Sequence, residues 1–207
     1  MRLLNIIAAI SVLVAAAGDT LRAGSVTAKK KTLCLLLEPR IMGHKTARPI
    51  PRAKETHLVP GIVGDFGVEP LRTEAFTALG LTWEAFLTRA TTTAEKHFKT
   101  LKPKIVKDPD GNTLCIILRS ENPLTSSVIF APSFRSKFEK ILGTRLLVAI
   151  PDRTTVYVFP RGFASLTGAG KDLATLYLTS TYPASSELFE INDKGILAAG
   201  TFLGENK

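Results

Sequence analysis

The sequence predicts an α+β domain: a mainly antiparallel twisted sheet built from hairpins, with helices packed on one face. Three observations carry this expectation. Residues 145–160 place two short runs rich in Val, Ile, Tyr and Phe on either side of Pro151-Asp152-Arg153-Thr154, the pattern of a buried hairpin. Residues 104–119 and 186–202 repeat it around Asp108-Pro109-Asp110-Gly111 and Asp193-Lys194-Gly195, both strong turn signals. Between the hairpins, apolar residues step by three and four, which is the period of a helix with one buried face.

The 145–160 hairpin is the expected centre of the core. Pro151 presets a turn dihedral, and the Asp152 carboxylate can bond back to the backbone just after it. Asp152 and Arg153 form the only polar pair inside the most apolar stretch. They read as structural turn residues first and as weak functional candidates second.

At the start, Met1-Arg2 precedes an apolar run from residue 3 to 17 broken only by Asn5 and Ser11. This is the layout of a secretory signal peptide over residues 1–23, with cleavage expected after Ala23. The run falls short of the about 20 apolar residues of a membrane span; an uncleaved N-terminal anchor is the other reading. The expected localisation is secreted or periplasmic.

Residues 24–57 read as a basic linker or arm with one strand, 32–37, inside it. The arm carries Lys29, Lys30 and Lys31, then Arg40, Lys45, Arg48, Arg52 and Lys54, with Pro49 and Pro51 among them. Two prolines so close forbid regular helix. A solvated loop is the plain reading, and a polybasic arm that docks on an anionic surface is the sharper one.

A single α+β domain is expected over 58–207. Residues 57–67 form a glycine-punctuated strand region, whose glycines read as bulges or bends. Residues 70–78 form a short helix. Thr82 caps a longer one, whose inward stripe is Phe86, Ala90, Ala94, Phe98 and Leu101, with Trp83 pinning its start. His97 on that helix reads as a surface residue. Residues 120–127 are expected to be loop. Pro132 opens a helix with Phe134, Phe138 and Leu142 inward and Gly143 behind it. Residues 161–170 read as loop and 172–178 as helix.

With 45% hydrophobic residues in 207 the composition is that of one globular domain,. The formal net charge is +9, which draws nucleic acid, anionic lipid or acidic polymer alike. Export would remove nucleic acid from reach and leave an anionic envelope polymer or lipid surface as the expected partner.

No catalytic, cofactor-binding or metal-binding residues are assigned. Thr167-Gly168-Ala169-Gly170-Lys171-Asp172 lacks the first glycine and the magnesium hydroxyl of a phosphate loop,. The 108–111 turn lacks the alternating acids of a calcium loop. There is no Gly-x-Ser-x-Gly elbow, and the histidines are only His44, His57 and His97,. Cys34 and Cys115 lie in apolar strand-like runs. In an exported chain they could form a disulfide, and two buried free thiols are the alternative. The expected function is therefore a non-enzymatic binding domain of the bacterial cell envelope. The alternative is an enzyme of unknown class, hydrolytic, with its site in a cleft of the sheet.

From about Gly80 onward the chain resembles the C-terminal part of the YtpQ-like family of bacterial proteins. The resembling stretches are Gly80-Leu81-Thr82-Trp83, residues 138–144 running into Leu147-Val148-Ala149-Ile150-Pro151-Asp152-Arg153, and Ser186-Glu187-Leu188-Phe189. The resemblance implies an α+β domain with no assigned activity, and it brings no catalytic residue with it.

Overall fold

The computed structural model describes residues 32–64, 67–162 and 166–203, with backbone alone at 166–168. The expected signal peptide, with Lys29, Lys30 and Lys31, lies outside the described residues. The fold is α+β, with two antiparallel sheets in place of the single one expected.

The smaller sheet is organised on β3 (Thr56–Gly64). β1 (Thr32–Pro39) pairs along its whole length, from Thr32 opposite Val63 to Pro39 opposite Thr56. On the other edge of β3 lie β2 (Arg48–Pro49) and β4 (Gly67–Pro70). The Leu-Cys-Leu-Leu-Leu run of β1 reads as continuous because both faces of the strand are covered. Leu33 and Leu35 meet Phe86 and Ala90, while Cys34 and Leu36 meet Val59, Val68 and Leu124. Gly61 sits opposite Cys34, and a Cβ there would come within 2.9 Å of the Cys34 sulfur. Close approach, not a bulge, explains this glycine.

The larger sheet has six strands: β5 (Lys104–Lys107), β6 (Thr113–Arg119), β7 (Leu146–Asp152), β8 (Thr155–Pro160), β9 (Glu187–Asn192) and β10 (Gly195–Thr201). Their order is β10-β9-β7-β8-β6-β5, so the β7–β8 hairpin is central, as the sequence predicts. All seven residues of β7 are buried. Its side chains alternate between two cores: Leu146, Val148 and Ile150 in one, Leu147 and Ala149 in the other.

Helices cover both faces of this sheet, which corrects the expectation of one covered face. Besides the short α1 (Thr73–Thr77), there are α2 (Trp83–Phe98), α3 (Phe134–Leu142) and α4 (Leu166–Thr179). α2 starts where Thr82 accepts a hydrogen bond from the Ala85 N–H at 3.2 Å. Its first half, Phe86 and Ala90, packs on the smaller sheet; its second, Ala94 and Phe98, packs with α3 on the larger one. α4 seals the opposite face through Leu173. One helix thus ties the two sheets together.

Four further expectations change. Residues 32–57 are no detached arm: β1 and β2 belong to the smaller sheet, Ile50 is buried in the main core, and the described residues form one compact unit. Residues 125–130 form a buried 3-10 turn, not open loop. The 167–172 stretch lies within α4, so its lysine and glycines are helical. His97 is half-buried, with Nε2 3.2 Å from the Thr125 hydroxyl; burial holds its imidazole below the usual pKa. The two thiols are free. Cys34 is buried in the smaller sheet and Cys115 in the α4-side core of the larger, so of the two readings left open by the sequence, a disulfide or two buried free thiols, the structure has the second. Burial pushes the Cys34 thiol up to about 12.

Candidate functional site

The described basic residues divide by location. Arg40 opens a 3-10 turn that its backbone N–H ties to the Glu55 carbonyl at 2.7 Å. Lys45 lines a separate small cleft with His44, and the Arg48 guanidinium lies over the Trp83 ring, 5.4 Å from its centre. Arg52 and Lys54, with Arg40, converge on the outer edge of β10. The reason is backbone pairing: the Ala198 N–H donates to the Pro51 carbonyl at 2.9 Å, which lays the basic segment along that edge.

Arg52 occupies a tight turn. The Ala53 N–H donates to the Ile50 carbonyl at 3.0 Å, Pro51 holds the second position, and Arg52 takes the third with φ +63°. A type II turn calls for glycine at that third place. A left-handed backbone costs a side-chain-bearing residue about 1–2 kcal/mol. Arg52 is the only such non-glycine among the described residues.

Its side chain lines a cleft of about 480 Å³ together with Arg145, Arg161, Lys194, Glu190 and Asn192. Arg145 precedes β7 and Arg161 follows β8, and an antiparallel hairpin brings those two ends side by side. Glu190 of β9 faces both. Arg145 donates Nε to Oε1 and Nη2 to Oε2, each at 2.8 Å; Arg161 donates Nε to Oε2 at 2.7 Å; Asn192 donates Nδ2 to Oε1 at 2.8 Å. The carboxylate is buried while both guanidiniums are about half exposed. One buried acid therefore holds two arginines in fixed orientation, and four cations surround it. A preordered guanidinium can offer its remaining N–H groups to a carboxylate or phosphate in a fork.

The same bonds hold Glu190 down at about 2, from an ordinary 4.5, chiefly through Arg145 against the opposing pull of burial, with help from Asn192 and Arg161. A depressed carboxyl stabilises the fold above its unfolded pKa and loses that contribution as pH falls through the folded one. Stability is thus expected to drop between about pH 4.5 and about pH 2 by an increment that Glu190→Gln removes. Denaturant midpoints of both proteins across that range measure it; parallel acid limbs would refute it.

A neighbouring cavity of about 650 Å³ shares Arg52 and Ala198 with the cleft and adds Arg40, Lys54, Glu55, Tyr177 and Glu187. The sequence singled out Arg40, Arg52 and Lys54 but not Arg145, Arg161, Lys194 or Glu190. The available signals were two arginines bracketing the central hairpin and a lone acid inside Leu188-Phe189-Glu190-Ile191.

Asp152 behaves as the sequence predicts, accepting from the Thr154 N–H at 2.7 Å and its hydroxyl at 2.8 Å. Arg153 is 8% exposed and reaches into the smaller sheet. Its Nε and Nη2 donate to Glu38 Oε1 at 3.2 and 2.6 Å, and Nη1 donates to the Val68 carbonyl at 2.8 Å. The guanidinium also lies 5.4 Å from the Tyr182 ring centre. Asp152 therefore closes its own turn, and Arg153 is a clamp between the sheets rather than part of an open site. His44 Nε2 stands 3.9 Å from the other Glu38 oxygen.

Among the described residues no group of three or more His, Cys, Asp or Glu is placed to hold a metal ion, and no helix is long and apolar enough to cross a membrane. The geometry defines an α+β domain with a basic cleft at one edge of its larger sheet. Comparison with protein-family models, with curated proteins and with solved structures finds no match for the chain.

Proposed function

We propose that this chain is an exported, non-enzymatic binding domain of the bacterial cell envelope, and that its basic cleft takes the phosphate groups of an anionic envelope polymer or lipid surface. The observation that carries the reading is the gathering of Arg52, Arg145, Arg161 and Lys194 around the single carboxylate of Glu190. The left-handed backbone at Arg52 adds to it, because a costly conformation kept at one residue points to a use for that side chain,. The sequence adds the net charge of +9 and the signal-peptide pattern. The resemblance to the YtpQ-like family is carried mostly by residues of β7 and its tip, which are core, and adds no site.

The test is co-sedimentation with phosphatidylglycerol-rich vesicles and, separately, with a poly(glycerol phosphate) polymer, at low and at physiological salt. Binding that weakens with salt is expected in at least one arm. Arg52→Gly is expected to weaken that binding several-fold. It should unfold at no lower denaturant concentration than the parent, since relief of the left-handed backbone offsets the entropy that glycine gains in the unfolded chain. No salt-sensitive binding in either arm would sink the proposal.

A hydrolytic enzyme is the second reading, and His44 beside Glu38 is the observation behind it. We rank it lower because Arg153 already occupies that carboxylate and His44 Nε2 has no hydrogen-bond partner among the described residues, hence no bonded hydroxyl to activate,.

A further inference from the structure

The 650 Å³ cavity beside the cleft holds a feature that the anion reading does not use. Glu187, at the start of β9, is 5% exposed. Its Oε1 accepts from the Lys54 backbone N–H at 2.7 Å, while Oε2 has no partner among the described residues. Glu187 enters no ion pair there, although Arg40, Arg52 and Lys54 line the same cavity. Buried polar side-chain atoms are nearly always bonded, so an unpaired oxygen buried at the wall of a cavity marks a carboxylate that a donor in the cavity would satisfy,. A buried carboxylate prefers a charged one, because the desolvated ion is costly until a cation meets it. Glu55 adds a second carboxylate, and Tyr177 is an aromatic residue of the same lining. On the arginine side, Arg52 is common to this cavity and to the anion cleft. Acid and base thus lie in two neighbouring cavities that share Arg52 and Ala198 and have opposite preferences.

We infer that the two cavities together recognise a zwitterion: a phosphate ester carrying a primary amine, with the phosphate at Arg52 and its neighbours and the ammonium at the Glu187 carboxylate. This rests on the anion reading above and names the class of ligand within it. The ethanolamine phosphate headgroup of a lipid and an amine-decorated phosphate polymer share this chemistry.

The experiment is calorimetric titration of the full-length protein with phosphoethanolamine and with glycerol phosphate, which keeps the anion and lacks the amine. Phosphoethanolamine is expected to bind about 10-fold tighter, the scale of one charge-assisted hydrogen bond. In Glu187→Gln, which keeps the shape and removes the charge, the ratio should fall close to unity. Equal affinities in the parent would overturn the zwitterion inference and leave the anion reading standing. Binding of neither ligand would overturn both. A preference that survives Glu187→Gln would also overturn the inference, since the amine would then sit elsewhere. The comparison of ligands on the parent protein needs no variant to fold. Vesicles of phosphatidylethanolamine against an aminoacylated glycerol-phosphate polymer then separate the two sources.

Discussion

Arg153→Met is expected to lower folding stability by about 3–5 kcal/mol, the scale for removing one partner of a buried ion pair. Glu38 is 3% exposed and Arg153 8%, so neither charge is relieved by water. Without the guanidinium, the Glu38 carboxylate keeps, among the described residues, only His44, 3.9 Å away, and the Val68 carbonyl loses this donor. The loss is also geometric. Glu38 belongs to β1 and Val68 to β4, while Arg153 is the tip of the β7–β8 hairpin, so one side chain bonds two strands of one sheet to the turn of the other. The double variant Glu38→Leu/Arg153→Met should recover much of the stability, because a buried pair exchanged for apolar groups is often neutral. Urea unfolding of the parent, the two single variants and the double variant gives the coupling energy. A single variant within about 1 kcal/mol of the parent would show that the clamp contributes no more than a surface pair.

Phe98→Ala is expected to cost a similar amount, about 3–5 kcal/mol. Phe98 closes the C-terminal end of α2 and packs against two rings of α3, Phe134 at 5.3 Å and Phe138 at 5.7 Å between centres. Those two rings lie edge-on at 5.2 Å, so the trio is mutually supported. The Lys137 ammonium lies 4.6 Å from the centre of the Phe98 ring. Removing the ring leaves a void bounded by the two rigid rings of α3, and such a site collapses poorly,. Phe98→Leu, which refills most of the volume, should cost less than half as much. Chemical denaturation measures both, and an alanine variant losing under about 1.5 kcal/mol would show that α2 and α3 can shift to fill the space.

The elements of the larger sheet were legible because each had a local cause. The Pro151-Asp152-Arg153-Thr154 turn, the Thr82 cap and the Phe134, Phe138 and Leu142 stripe all form as their neighbours in the chain dictate. The two long strands of the second sheet were legible at 32–37 and 57–67, but their pairing into a sheet of their own was not. These strands, β1 and β3, are separated by the proline-bearing basic segment, and only pairing across that gap turns the segment into structure. Charge density likewise concealed the cleft. Arg40, Arg52 and Lys54 stood out as a run, yet the cations best ordered, Arg145 and Arg161, are isolated in sequence and are joined only by the hairpin and by Glu190. The role of Arg153 was hidden because its partner, Glu38, lies 115 residues away. No short-range pattern signals a charge that will be buried by a distant strand.

The pairing of the Pro51 carbonyl with the Ala198 N–H has a consequence for how copies of this chain behave in one another's presence. A six-stranded sheet ends in two rows of open backbone groups, and such rows invite strand-to-strand aggregation. At one end β5 carries Lys104 and Lys107 and an irregular register at Val106 and Lys107, all poor templates for another strand. At the other end β10 kinks between Ala198 and Gly200, and residue 51 takes the N–H of Ala198. The basic segment thus also works as a selvedge that keeps the fabric from joining the next piece. A fragment trimmed to begin at residue 58 would lose that border along with β1, and self-association is the behaviour its bare edge encodes.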